Sequence, residues 1–387
     1  MNNTKKNIIV ALALAGSVLF SCKQPAQYQY ITHWGSTQGT YYQVMYDSPD
    51  NISYEEEIIR VLHDFSASLS TYLPTSLISR INQNDPTAIV DDYFRTVFNK
   101  AVEVNKASGG VFDITIAPIV NLWGFGFTDN APDINSEKID SLLQYVGMEK
   151  IRIEGDRVVK DLPGVMLDMN AIAKGYSVDV LADFLKSKGC RNFLVNIGGE
   201  IVAQGVNNFG EIWRGGIEKP TDDAAFGLEF QGRLYLKNSA LATSGNNRRF
   251  FVKDGVKYAH TMDVKTGYPV RHNLLSASIV ADDCMTADAW ATVCLASGLE
   301  KSIQILKQHP ELKGFLIYSD KKGNYKVYKT KGMKSIIIGW KKGRIIFGVF
   351  SFLVIFGGIL YMKVRVKRID RKESVTRKQS EEDKKIG

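Results

Sequence analysis

Residues 345–362 form an unbroken run without one charged side chain, and they include Phe347, Phe350, Phe352, Leu353, Ile355 and Phe356. A run of that length is close to the ~20 apolar residues that cross a bilayer as a helix. Lys341, Lys342 and Arg344 precede it, and a denser basic stretch follows from Lys363 to Lys372. The positive-inside rule then puts the tail, 363–387, in the cytoplasm and the rest of the chain outside the inner membrane. A buried core helix is the rival reading, and it would not carry so highly charged an extension.

The other end agrees. Lys5 and Lys6 precede an apolar run from Ile8 to Phe20, too short to span stably, and small residues follow it. That order reads as an export signal, 1–21. Its ending, Leu19-Phe20-Ser21-Cys22, resembles a bacterial lipobox, which makes Cys22 the expected lipidated first residue of the mature chain, although Phe20 is bulkier than usual there. An ordinary cleaved signal with a stray cysteine remains the alternative. The expected organisation is a linker over 22–31, a globular domain over 32–334, the span and the tail.

The tail also explains the net charge of +8. From Lys341 onward thirteen Lys/Arg face five acids, so the remainder is neutral, and a basic groove for nucleic acid is excluded. Cys190, Cys284 and Cys294 are an odd set without metal-like spacing. Core packing suits Cys190 and Cys294, with one disulfide left open.

Within the domain, apolar spacing predicts helices over 54–69, 91–106, 137–145, 171–188, 285–296 and 300–308. Ile151-Arg152-Ile153 and Val158-Val159 around Gly155-Asp156 predict a hairpin. Strands are expected at 165–167, 193–197, 315–318 and 325–328, with short strands from 201 to 280. Without regular alternation the class is α+β.

Four polar clusters fall at the ends of these elements. Asn196-Ile197-Gly198-Gly199-Glu200 joins two strands, where paired glycines allow close approach of a ligand or simply make a tight turn. Asp168-Met169-Asn170-Ala171-Ile172-Ala173-Lys174-Gly175 lies at a strand-to-helix junction, where free N–H groups favour phosphate. Asp168 or Asn170 alone reads as well as an N-cap. Asp288 and Thr292 are four apart and share a helix face, an acid and a hydroxyl suited to a hydrated hard cation such as Mg²⁺, or a plain surface pair. His260, near Asp263, is a candidate acid–base group or a satisfied structural histidine.

Taken together, and in order, these stretches resemble the ApbE-type FAD:protein FMN transferases over about Gly39 to Gly298. The likeness is carried by Gly39-Thr40-Tyr41-Tyr42, Leu69-Ser70-Thr71-Tyr72, Gly109-Gly110-Val111-Phe112-Asp113-Ile114-Thr115 and Asn121-Leu122-Trp123-Gly124-Phe125-Gly126. It continues through Asp168–Gly175, Asn196–Glu200, Ala242-Thr243-Ser244-Gly245, His260–Pro269 and Cys284–Thr292. The resemblance implies an ApbE-like, two-lobed fold of mixed sheet and helix. It implies FAD as substrate, Mg²⁺ as cofactor, and FMN transfer to a Thr or Ser of a target with release of AMP. By position, Tyr72, Val111, Phe112, Asp113, Asp168, Lys174 and Met262 match flavin-nucleotide contacts. The Ala171 carbonyl, Asp288 and Thr292 match metal ligands, and His260 matches the group that activates the acceptor hydroxyl.

Two positions depart from the pattern. Gln38 replaces a usual Met, and Ala291 stands where some relatives carry another carboxylate. The implied partners are membrane redox subunits with a periplasmic flavin, as in sodium-pumping NADH:quinone oxidoreductases and Rnf-type complexes, besides membrane lipid. Two other functions use the same residues: an FAD pyrophosphatase giving FMN and AMP, and a non-catalytic flavin-binding lipoprotein.

Overall fold

The structure, a computed structural model, describes residues 29–49, 51–128, 134–220, 230–246, 250–253 and 256–338. Cys22 and the expected span at 345–362 lie outside them, and no helix among the described residues is long and apolar enough to cross a membrane.

Eight strands make the central sheet: β1 (Tyr30–Thr37), β2 (Thr40–Asp47), β3 (Phe193–Ile197), β4 (Glu200–Gln204), β5 (Ser239–Gly245), β6 (Leu274–Ala281), β7 (Lys313–Ser319) and β8 (Tyr325–Lys329). They lie side by side in chain order and every pair is antiparallel. β1 begins inside the stretch expected to be linker. It turns into β2 through Gln38 and Gly39, both at positive φ (50° and 71°), the backbone that a two-residue hairpin of matching twist requires.

Side chains alternate between two buried faces. Val44, Tyr46, Phe193, Val195, Ala240, Ala242, Ile279 and Leu316 enter the larger core, whereas Met45, Leu194, Leu241, Val280, Phe315 and Ile317 enter a second. Both faces being covered, inner strands such as Phe193–Ile197 and Leu274–Ala281 are buried almost along their whole length. The larger core is roofed by helices α1 (Glu55–Leu69), α2 (Asp92–Ala107), α3 (Ala173–Ser187), α4 (Cys284–Ser297) and α5 (Leu299–Gln308). A hairpin of Trp213–Glu218 and Phe230–Leu236 covers the other face. A third apolar cluster, of Ile119, Trp123, Ile139, Val146 and Met262, forms apart from these two cores, and the described residues up to Ile337 belong to one compact unit.

The helices follow their apolar spacing. In α1, Ile58, Leu62, Phe65 and Leu69 are buried behind an acidic first turn of Glu55, Glu56 and Glu57. In α2, Asp91 caps the start by accepting from the Phe94 N–H at 2.8 Å. α4 is apolar on all sides and almost wholly buried. Cys190, Cys284 and Cys294 are buried, free thiols, which fits core packing and leaves no disulfide among them.

Residues 165–167 do not form the expected strand: Met166 makes a single parallel bridge to Ile116, and Leu167 is bound on both backbone groups by the Asn82 amide at 2.7 and 2.9 Å. The hairpin at Ile151–Glu154 and Arg157–Lys160 is present.

Candidate functional site

Three sheet connections come out at one end of the meander: the Gln38–Gly39 turn, the Gly198–Gly199 turn, and the long excursion between β5 and β6. The first two meet, since the Gly198 N–H donates to the Tyr41 carbonyl at 3.0 Å. α3 begins beside this end, and α4, starting after the far end of β6, runs back toward it so that Thr292 comes to Ser244.

α4 is seated on α3 by carboxylates. Asp283 caps it, accepting from the Thr286 N–H at 2.7 Å, and Asp179 of α3 accepts from the Cys284 and Met285 N–H groups at 2.8 Å each. The close approach depends on Gly175, where a Cβ would lie 2.4 Å from the Cys284 carbonyl oxygen and 2.7 Å from the Asp288 Cβ. Having no side chain, Gly175 instead donates its N–H to Asp288 Oδ2 at 2.9 Å.

Asp288 is 4% exposed. One turn on, the Thr292 hydroxyl donates to the Ala171 carbonyl at 3.5 Å and lies 3.2 Å from the Ser244 hydroxyl. The Thr292 hydroxyl and the Ala171 carbonyl are thus in contact, and Asp288, one turn back on the same helix, reaches the Gly175 N–H beside them. They are hard oxygen donors of the kind Mg²⁺ takes while keeping several waters. Among the described residues no three His, Cys, Asp or Glu side chains form a metal cage, so a cation here would rest on this mixed set.

Lys174 reaches the buried Glu200 carboxylate at 2.9 Å, off the line of a good hydrogen bond. Burial works against the Lys174 charge, but Glu200 and Asp288 more than offset it and hold the ammonium above its usual range. Burial pushes Asp288 up to about 7; Glu200 adds to the rise, and Lys174 and the Gly175 N–H oppose it. Two enclosed carboxylates face one ammonium, which leaves a surplus of negative charge that a divalent cation would relieve.

The remaining expected contacts frame this centre. Asp168 does not cap a helix: its Oδ1 accepts from the Asn170 N–H at 2.8 Å in a local turn, and α3 begins only at Ala173. The Asp168 N–H donates to the Ile114 carbonyl at 2.7 Å, tying it to the 109–115 loop. The Asn170 amide reaches the Thr71 hydroxyl at 3.4 Å, next to Tyr72, which is 55% exposed. Gly109 and Gly110, both at positive φ, precede the half-buried Val111. Phe112 packs in the core, and Asp113 is taken up by the Thr115 N–H, the Thr115 hydroxyl and the Met148 N–H. These two brace the loop with their side chains. Met262 is likewise a packing residue, buried with Ile119, Trp123, Ile139 and Val146.

His260 follows the Val256–Ala259 strand, its ring 6.4 Å from that of Phe125. Asp263 serves its own turn, its Oδ1 accepting from the Lys265 and Thr266 N–H groups. The Thr261 hydroxyl donates to Asn246 at 2.8 Å, which ties the His260 segment to the end of β5, two residues past Ser244. Glu200, Gly175 and Ser244 stood within quoted motifs but were given no individual role in the sequence reading, and Asp179 stood in none. A Glu directly after a double glycine was the one visible signal; the others are defined only by what they touch.

The ApbE family profile matches residues 38–316. The FAD:protein FMN transferase of Vibrio cholerae is 35% identical over 341 residues, spanning 86% of this chain and 99% of that protein. That of Haemophilus influenzae is 36% identical over 316 residues, 78% of this chain and 89% of its own. Among solved structures, the flavin transferase ApbE from Vibrio cholerae superposes with a TM-score of 0.71 at 34% identity, covering 80% of this chain and 99% of that one. The apo flavinyl transferase ApbE of Pseudomonas stutzeri gives 0.71 at 29% identity, covering 80% and 96%.

Proposed function

The chain belongs to the ApbE family, and we infer from that membership that it is an FAD:protein FMN transferase. We propose further that it works with Mg²⁺ and that its acceptor is a Thr or Ser hydroxyl. The observation that supports this reading is the contact of Thr292 with the Ala171 carbonyl, with buried Asp288 one turn away on the same helix bonded to the Gly175 N–H next to Lys174.

Asp288, Thr292 and Ala171 would hold the ion. When bound, Mg²⁺ supplies neutralisation of the charge that develops on the diphosphate oxygens of FAD. Lys174 adds a fixed positive charge beside them. Tyr72, exposed at the rim, and the open backbone at Gly109 and Gly110 offer a surface for the flavin half. His260 accepts the proton of the acceptor hydroxyl as its oxygen attacks the FMN phosphorus. The new P–O bond joins FMN to the acceptor, the bond to AMP breaks, and AMP leaves with the electron pair.

The export signal, Cys22 and the run at 345–362 support a chain held at the inner membrane with this domain in the periplasm. Acceptors there would be flavin-bearing subunits of membrane redox complexes, of the sodium-pumping NADH:quinone oxidoreductase or Rnf type.

The test is co-incubation of the full chain with FAD, Mg²⁺ and a candidate acceptor, read by mass spectrometry for added FMN and by release of AMP. Both in equal amount are expected. AMP without labelled acceptor would make the protein a pyrophosphatase, and bound FAD without AMP would make it a carrier.

A further inference from the structure

Glu200 opens β4 straight after the Gly198–Gly199 turn, and its carboxylate is 2% exposed as a residue. A buried carboxylate is retained only where something offsets its charge, and here that is Lys174 at 2.9 Å. Lys174 also lies within the field of Asp288, because the adjacent Gly175 N–H is bonded to Asp288 Oδ2 at 2.9 Å. The Lys174 ammonium is thus paired with Glu200, while Asp288 is held by the backbone of its neighbour Gly175, at the first turn of α3. If it closed on Asp288, the oxygen meant for a cation would be taken by an internal ion pair.

We propose that Glu200 is a positioning residue that draws the Lys174 ammonium away from Asp288 and so keeps the Asp288 carboxylate open to a divalent cation. This rests on the metal assignment above, and deepens it with a role that nothing in the donor set itself reveals. Glu200 touches neither metal nor substrate in this role; it acts through Lys174. Two different jobs are thereby separated on adjoining strands and helices: Asp288 takes the cation, and Glu200 takes the lysine.

The experiment is Mn²⁺ binding by the full chain in detergent, read from the free-ion electron paramagnetic resonance signal, with no turnover involved. Glu200→Gln keeps the shape and removes the charge, so Lys174 closes on Asp288 and Mn²⁺ affinity falls about 10- to 100-fold. Glu200→Gln combined with Lys174→Met removes both charges, and affinity returns to within about threefold of the unaltered chain. A merely structural role for Glu200 would not be rescued by deleting its partner. Full Mn²⁺ affinity in Glu200→Gln, or a double variant no better than the single one, overturns the proposal. Should the single variant not fold, the charge-balanced double variant still decides, since affinity lost there also overturns it. Asp288→Ala separates the two levels: if it binds Mn²⁺ normally, the metal seat and the role of Glu200 fall together, whereas loss of binding there with normal binding in Glu200→Gln removes Glu200 alone.

Discussion

At the scale of single residues, Asp288 and His260 are expected to fail differently. Asp288→Ala removes the one carboxylate of the cation seat, so transfer is lost and FAD binding weakens with it. Normal turnover by that variant, measured as AMP release, would contradict the assignment. His260→Ala leaves the seat intact and should lower kcat by about 10²- to 10⁴-fold with little change in KM for FAD, as expected for a lost proton acceptor. Asp288 and Thr292 were legible in the sequence because four-residue spacing puts two side chains on one helix face whatever the fold. The side-chain surroundings of Phe112, Asp113 and Met262 were not legible in the sequence. Their side chains are spent on the core or on bracing a loop, which depends on neighbours remote in the chain.

At the scale of elements, the junction of α3 and α4 decides whether the site exists. Gly175→Ala forces a Cβ against the Cys284 carbonyl, so the helices must part, at a cost of about 1–3 kcal/mol. Denaturant titration is expected to register that loss, and Mn²⁺ affinity to fall with it; an unchanged midpoint would mean that the helices close no further than an alanine permits. Asp179 makes the same junction pH-dependent. Burial pushes its carboxyl up to about 7, against the opposing Cys284 and Met285 N–H bonds, while Asp283 and Asp183 add to the rise. The folded state therefore holds a proton that the unfolded chain releases near its ordinary 3.8. That contribution is complete below about pH 4 and disappears as pH rises through about 7. Stability of the unaltered chain relative to Asp179→Asn should fall across this window, and a parallel pH dependence of the two would refute it. Helix α4 itself was visible as an apolar run, but its contact with α3 was not, because a glycine advertises no partner.

At the scale of the whole molecule, two anchors are expected to hold one catalytic unit at the membrane. Removing 345–387 or changing Cys22→Ser should each leave the protein with the membrane fraction, and both together should release it into the periplasmic fraction with transfer intact. Release by either change alone would show that the other anchor does not operate. The described unit needs neither segment for its core, since both faces of its sheet are covered by residues between Tyr30 and Ile337. By itself the sequence determined the longer helices, the mixed class, the family and the shared helix face of Asp288 and Thr292, because each rests on local spacing or ordered motifs. It did not reveal that β1 starts in the supposed linker, that eight strands form one antiparallel sheet covered on both faces, or that residues 165–167 stay outside any strand. Strand pairing and facing are chosen by segments far apart in the chain. The pairing of Lys174 with Glu200, beside Asp288, belongs to the same kind of fact. Opposite charges find each other across a turn, a helix start and a second helix only once the sheet has set those three side by side.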